Sequence, residues 1–244
     1  MGHFHKVVLH SAGEFAAMTR LLILKLCSVG SLVALMSVLT SAQKQKIDWL
    51  IVPGKRVGPI TASTTRADLD AMFGNQNVRE RNLDIAEGPE AATVVLGDDP
   101  SAALAITWDK EHVATIHICF GTQTGPCRWR TASGIRIGLP MRELEKLNEK
   151  AFQVGGYGSD AQGAVVSWRK GMLEEDPASC GHLLVRLTPA AELAGRTMSK
   201  QEQSSYKQVQ GEKPYSSNYL PLLDLNPIVS SLEVQFIGPE CTPR

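Results

Sequence analysis

The chain has 244 residues, 43% of them hydrophobic and 20% charged, with 25 Lys plus Arg set against 25 Asp plus Glu. That composition is ordinary for a globular protein, and the chain is long enough for one or two cores. The balanced charge leaves no basic excess for nucleic acid and no acidic tail.

From the amino end, Met18-Thr-Arg20 precedes an apolar run, Leu21–Leu39, broken at Lys25 and ending Thr40-Ser41-Ala42. A charged start, about 14 apolar residues after the lysine and a small-x-small end form the pattern of a signal peptide. It covers residues 1–42, with cleavage expected after Ala42 and Met18 as the expected true start. The run after Lys25 is short for a span of ~20 residues, so no stable membrane span is expected after cleavage. Cys27 lacks the small residues that precede a lipid-anchored cysteine. His3-x-His5 falls upstream of Met18 and is discounted as a metal site.

The segment 43–130 then reads as one helix-plus-sheet unit. Ile47–Val52 is an entering strand, followed by a turn at Pro53-Gly54. Thr65-Arg66-Ala67-Asp68 has the spacing of a capping box, and Gly74 is a helix stop. Val78–Ile85 alternates like a strand with one exposed face, and Thr93–Leu96 and Leu104–Trp108 are more apolar strands. Gly97-Asp98-Asp99-Pro100 turns between them; its acidic pair lacks the spacing of a calcium loop. His112–Phe120 is the next strand, with Thr115, His117 and Cys119 on its less apolar face.

The segment 131–244 repeats the plan. Pro140 stands at a first helical turn, and Met141, Leu144, Leu147 and Ala151 form one apolar stripe, predicting a helix of about three turns laid on a sheet. Gly155-Gly156-Tyr157-Gly158 follows. Gly156-x-Gly158-x-x-Ala161 is formally like a dinucleotide fingerprint, but Ala164–Trp168 continues it as a β-branched strand where that motif needs a helix. The glycines therefore mark a turn between antiparallel strands. Ile60, Leu69 and Met72 correspond to Ile135, Leu144 and Leu147, and Trp108 is echoed by Trp168. The fold class expected is α+β: two related units, each a short helix packed on an antiparallel sheet. A polar insertion, 190–226, interrupts the second unit, with some helix near Ala190–Leu193. His182–Leu187 and Leu232–Ile237 are strands, the latter expected to close a second sheet.

Four cysteines follow Ala42, an even number that favours disulfides in an exported protein. Cys119 with Cys127 closes a short loop, and Cys180 with Cys241 ties the 183–187 strand to the last one; three connectivities are open. A site made of all four thiolates lacks any C-x-x-C spacing. There is no H-E-x-x-H, G-x-S-x-G or phosphate loop, so no catalytic, cofactor or metal residue is assigned. Ser159, His182 and Asp160 make a triad only on paper. The candidate binding residues are Trp129, Tyr157 and Asp160. Asp160 sits among glycines, where an Asx turn is the plain reading. Of Trp49, Trp108, Trp129 and Trp168, Trp129 stands between Arg128 and Arg130 and is expected to be partly exposed.

Gly134-Ile135, Gly138, Leu144, Leu147-Asn148, Phe152, Gly155-Gly156-Tyr157, Asp160, Gly163 and Ser167-Trp168, with Phe73-Gly74, Asn77-Val78, Asn226-Pro227, Val229 and Leu232-Glu-Val234, resemble a family of uncharacterised bacterial exported proteins. The chain departs from that pattern at Glu149, Ser159 and Ala161, and no function comes with the family. More distantly, paired helix-plus-antiparallel-strand units after a signal peptide resemble the β-lactamase-inhibitor-protein-like fold, shared by small lipoproteins of the outer-membrane assembly machinery. That resemblance implies protein binding on an exposed sheet face. The expected function is a periplasmic or secreted, non-enzymatic module that binds another envelope or secreted protein through a sheet face and the 190–226 segment. The competing reading is a hydrolase or small-ligand-binding enzyme using the turn around Asp160 and His182.

Overall fold

The computed structural model describes residues 47–85, 88–120, 125–175 and 181–237. The expected leader, 1–42, and the cysteines Cys180 and Cys241 lie outside the described residues.

Strands β1 (Leu50–Val52) and β2 (Arg56–Val57) form a hairpin ahead of helix α1 (Arg66–Phe73). The capping box read from the sequence is formed: the Thr65 hydroxyl accepts from Asp68 N, and the Asp68 carboxylate accepts from Thr65 N at 2.9 Å. Each bond satisfies an amide that the first turn leaves without a partner. Gly74 ends the helix with a positive φ of 84°, and Leu69 and Phe73 supply its buried face.

An antiparallel meander follows: β3 (Val78–Ile85), β4 (Gly88–Val95), β5 (Leu104–Asp109) and β6 (His112–Ile118). Strand β7 (Arg130–Thr131) returns beside β1 in parallel. Helix α2 (Met141–Asn148) precedes β8 (Gln153–Val154) and β9 (Val165–Ser167), an antiparallel pair, and then the long β10 (Gly181–Thr188). Helices α3 (Ala190–Leu193) and α4 (Lys200–Gln208), strand β11 (Tyr215–Ser216) and helix α5 (Leu220–Leu225) lead to β12 (Ile228–Phe236). The protein is α+β, and among the described residues no helix is long and apolar enough to cross a membrane.

The main sheet has six strands in the order β10-β12-β6-β5-β4-β3. This corrects the expectation that the C-terminal strand closes a second sheet. Strand β12 lies between β10 and β6, so strands from both halves of the chain share one sheet. Directly paired residues share a face. Ile106, Ile116, Val234 and Leu183 are successive partners across β5, β6, β12 and β10 and form a buried row. The adjacent rows, on the other face, carry His117, Glu233 and Leu184, and Thr115, Gln235 and His182. Gln235 and His182 are exposed. Across β6, β12 and β10, alternation has thus given the sheet one apolar face and one polar face; on β5 and β4 the same side is buried, at Ala105 and Val94.

Helix α2 stops three residues short of Ala151, the last member of its expected stripe. Asn148 is buried and donates to the Lys150 and Trp168 carbonyls at 2.9 and 3.0 Å while accepting from Leu173 N. A side chain bonded to the loops that follow competes with further helix, and Glu149 turns left-handed at φ 57°. The expected echo of Trp108 in Trp168 also differs in place. Trp108 belongs to β5, the third strand after α1, whereas Trp168 follows β9, the second after α2.

About half of the 190–226 insertion is helical. Ser199 and Glu202 make a second capping box, and Arg196 pairs with the same glutamate. Asp224 on α5 accepts from Gln201 and Ser205 on α4, both at 2.8 Å, locking the two helices together.

Candidate functional site

The Gly-rich turn between β8 and β9 is pinned from both sides. Tyr157 N donates to Val209 O at 2.9 Å, and Gly211 N donates to Tyr157 O at 3.0 Å. Gly156 lies so close to the Gly211 carbonyl that a Cβ there would overlap it. Gly163, at φ 75°, passes between the Leu187 carbonyl and the Tyr157 ring, with room for no side chain. Leu187 N donates to Gly163 O at 2.9 Å, fastening the turn to the end of β10.

Packed this way, the turn forms one wall of an open cleft of about 320 Å³. Tyr157, Gly158 and Gln162 come from the turn, Arg186, Thr188 and Pro189 from β10 and its end, Glu192 from α3, Tyr206 from α4, and Ser230 and Ser231 from β12. The cleft therefore sits where the polar sheet face meets the 190–226 segment. Arg186 and Ser231 are register partners on that face.

The polar groups here are held in place. Arg186 Nη1 donates to the Ala161 and Gln162 carbonyls at 3.2 and 3.4 Å, which orients the guanidinium. The Thr188 and Ser230 hydroxyls lie 2.8 Å apart, and Ser230 also donates to the Arg186 carbonyl. His117 Nδ1 stands 3.7 Å from Glu233 Oε1. That contact, with Arg186 adding to it, holds the Glu233 carboxyl below the ordinary range against the opposing effect of burial.

Tyr157 is the exception to this satisfaction. The residue is 5% exposed, its ring stacks on Tyr206 with centroids 5.5 Å apart, and among the described residues its hydroxyl has no hydrogen-bond partner. Burial, with Tyr206 and the Glu192 carboxylate nearby, pushes its pKa well above the tyrosine range, so the hydroxyl stays protonated. A buried hydroxyl without a partner costs about 1–3 kcal/mol.

The other candidates fall elsewhere. Trp129, expected to be partly exposed, is fully buried: its Nε1 donates to Ala102 O at 2.8 Å and its ring packs edge-on against Trp49. The flanking arginines face outward because neighbours in an extended chain alternate; Arg128 pairs with Asp99 and covers the Trp49 ring. Asp160 is exposed and is not among the cleft-lining residues. Ser159 donates to Gly156 O at 2.8 Å, and His182 pairs with Glu175, whose other oxygen accepts from Leu183 N. The Ser159, His182 and Asp160 set is thus not brought together by hydrogen bonds. Cys119 and Cys127 form a disulfide with Cα atoms 6.1 Å apart. Among the described residues no cluster of His, Cys, Asp and Glu could hold a metal ion.

Sequence reasoning found Tyr157 but missed Arg186, Glu192, Tyr206 and Ser231. The one available signal was Ser199-x-x-Glu202, which announces α4 and hence the placement of Tyr206. Compared with known proteins, the chain matches no family model, no curated protein and no solved structure.

Proposed function

We propose that the protein is a non-enzymatic binding module, periplasmic or secreted, that engages another envelope or secreted protein through its polar sheet face and the 190–226 segment. The observation that supports this reading is the cleft at the junction of those two surfaces. Arg186, Thr188 and Ser230 are preorganised there by bonds to the fold, while the Glu192 carboxylate is exposed. Among the described residues Ser159 is spent on a turn carbonyl and His182 on Glu175.

The test is capture of a partner from envelope extract by the purified protein and by two surface variants, Gln235→Lys on β12 and Glu192→Lys on α3. Both positions are exposed, so folding is expected to be unchanged. A partner held by the parent and lost by both variants supports the reading. Equal retention by both, or a turnover abolished by Asp160→Ala in a folded protein, overturns it.

A further inference from the structure

The free hydrogen-bonding capacity of the cleft is unevenly placed. At the sheet side, Arg186 uses only Nη1 on the Ala161 and Gln162 carbonyls, and among the described residues Nη2 and Nε have no bonded partner. At the helix side, the exposed Glu192 carboxylate has no hydrogen bond or ion pair among the described residues, and its charge is felt by both Tyr157 and Tyr206. The cleft thus has a cationic, donor-rich side and an anionic side, in about 320 Å³, the small end of the range for ligand sites.

We infer that this cleft binds a small zwitterion of the size of an amino acid or dipeptide, its carboxylate against Arg186 and its ammonium against Glu192. A planar guanidinium anchored along one edge presents the other edge to a carboxylate in the favoured two-bond geometry. The inference rests on the reading of the chain as a binding module and adds a ligand class to it.

Calorimetric titration of the full exported protein with L-alanyl-L-alanine, its N-acetyl derivative and its C-terminal amide tests this. The free dipeptide is expected to bind, and each blocked form to bind about tenfold more weakly or worse, since each loses one charge-assisted bond. Arg186→Gln is expected to erase the difference between dipeptide and amide, and Glu192→Gln the difference between dipeptide and acetyl form. Glu192 is exposed and unbonded, so its variant decides the matter if Arg186→Gln fails to fold. Silence with the free dipeptide at millimolar concentration, or equal binding of all three probes, overturns the inference. That result beside a captured protein partner leaves the binding module standing. Dipeptide binding that obeys both substitutions, with no partner captured, supports the zwitterion and removes the protein partner.

Discussion

Replacing Tyr157 with Phe separates the cost of the cleft from its use. The substitution deletes one oxygen and leaves the ring, its stacking on Tyr206 and its packing beside Gly163. Because that oxygen is buried without a partner, the folded protein bears a desolvation cost of about 1–3 kcal/mol that the unfolded chain does not. The free variant is therefore expected to be more stable than the parent by about 1 kcal/mol at neutral pH, raising the melting midpoint by roughly 2–4 °C for a chain of this size. The alkaline behaviour carries a second sign. The Tyr157 pKa is raised by folding, so its contribution is intact below the unfolded pKa of about 10 and is lost as pH climbs past it. There the unfolded parent releases a proton that the folded parent keeps, costing about 1.4 kcal/mol per pH unit, and the Phe variant lacks this loss. Urea melts of both proteins at pH 7 and between pH 9.5 and 11 read both effects. A Phe variant less stable at pH 7 by 1 kcal/mol or more, or parallel stability curves above pH 10, would refute the reasoning by showing the hydroxyl to be satisfied.

Trp129→Ala removes a fully buried indole together with its bond to Ala102 O, and is expected to cost about 3–5 kcal/mol in a urea melt. A cost below 1 kcal/mol would return Trp129 to the surface. Removing the Cys119–Cys127 bond by a double Ser substitution frees a loop of sequence separation 8, an expected loss of about 2.5 kcal/mol. A non-reducing peptide map of the purified protein is expected to recover that pair and Cys180 with Cys241; a free thiol at either of the last two defeats the second pairing.

Local spacing carried the elements well. Thr65 and Asp68 are three apart, the reach of a first helical turn, and α1 begins where they place it. Strand β3 fills Val78–Ile85 as its alternation requires. The same rule was legible at Ser199 and Glu202, but the polar composition of 190–226 hid it, because a helix packed chiefly by Ser205 and Tyr206 shows almost no apolar stripe. Trp129 misled for a related reason. Charged neighbours describe the outward side of an extended segment and say nothing of the residue pointing the other way.

The chain by itself determined where α1 begins and that β3 fills Val78–Ile85, that the glycines at 155–163 form a turn, and that Cys119 can reach Cys127. It did so because each of those depends on neighbours a few positions apart. Tertiary structure alone decided that β12 lies between β10 and β6, and that Tyr157, Arg186, Glu192 and Tyr206 face one cleft. Strand partners are chosen by the packing of rows such as Ile116, Val234 and Leu183, contributed by segments remote in sequence. A cleft is the space left over when those rows have met, so no local window of residues can describe it.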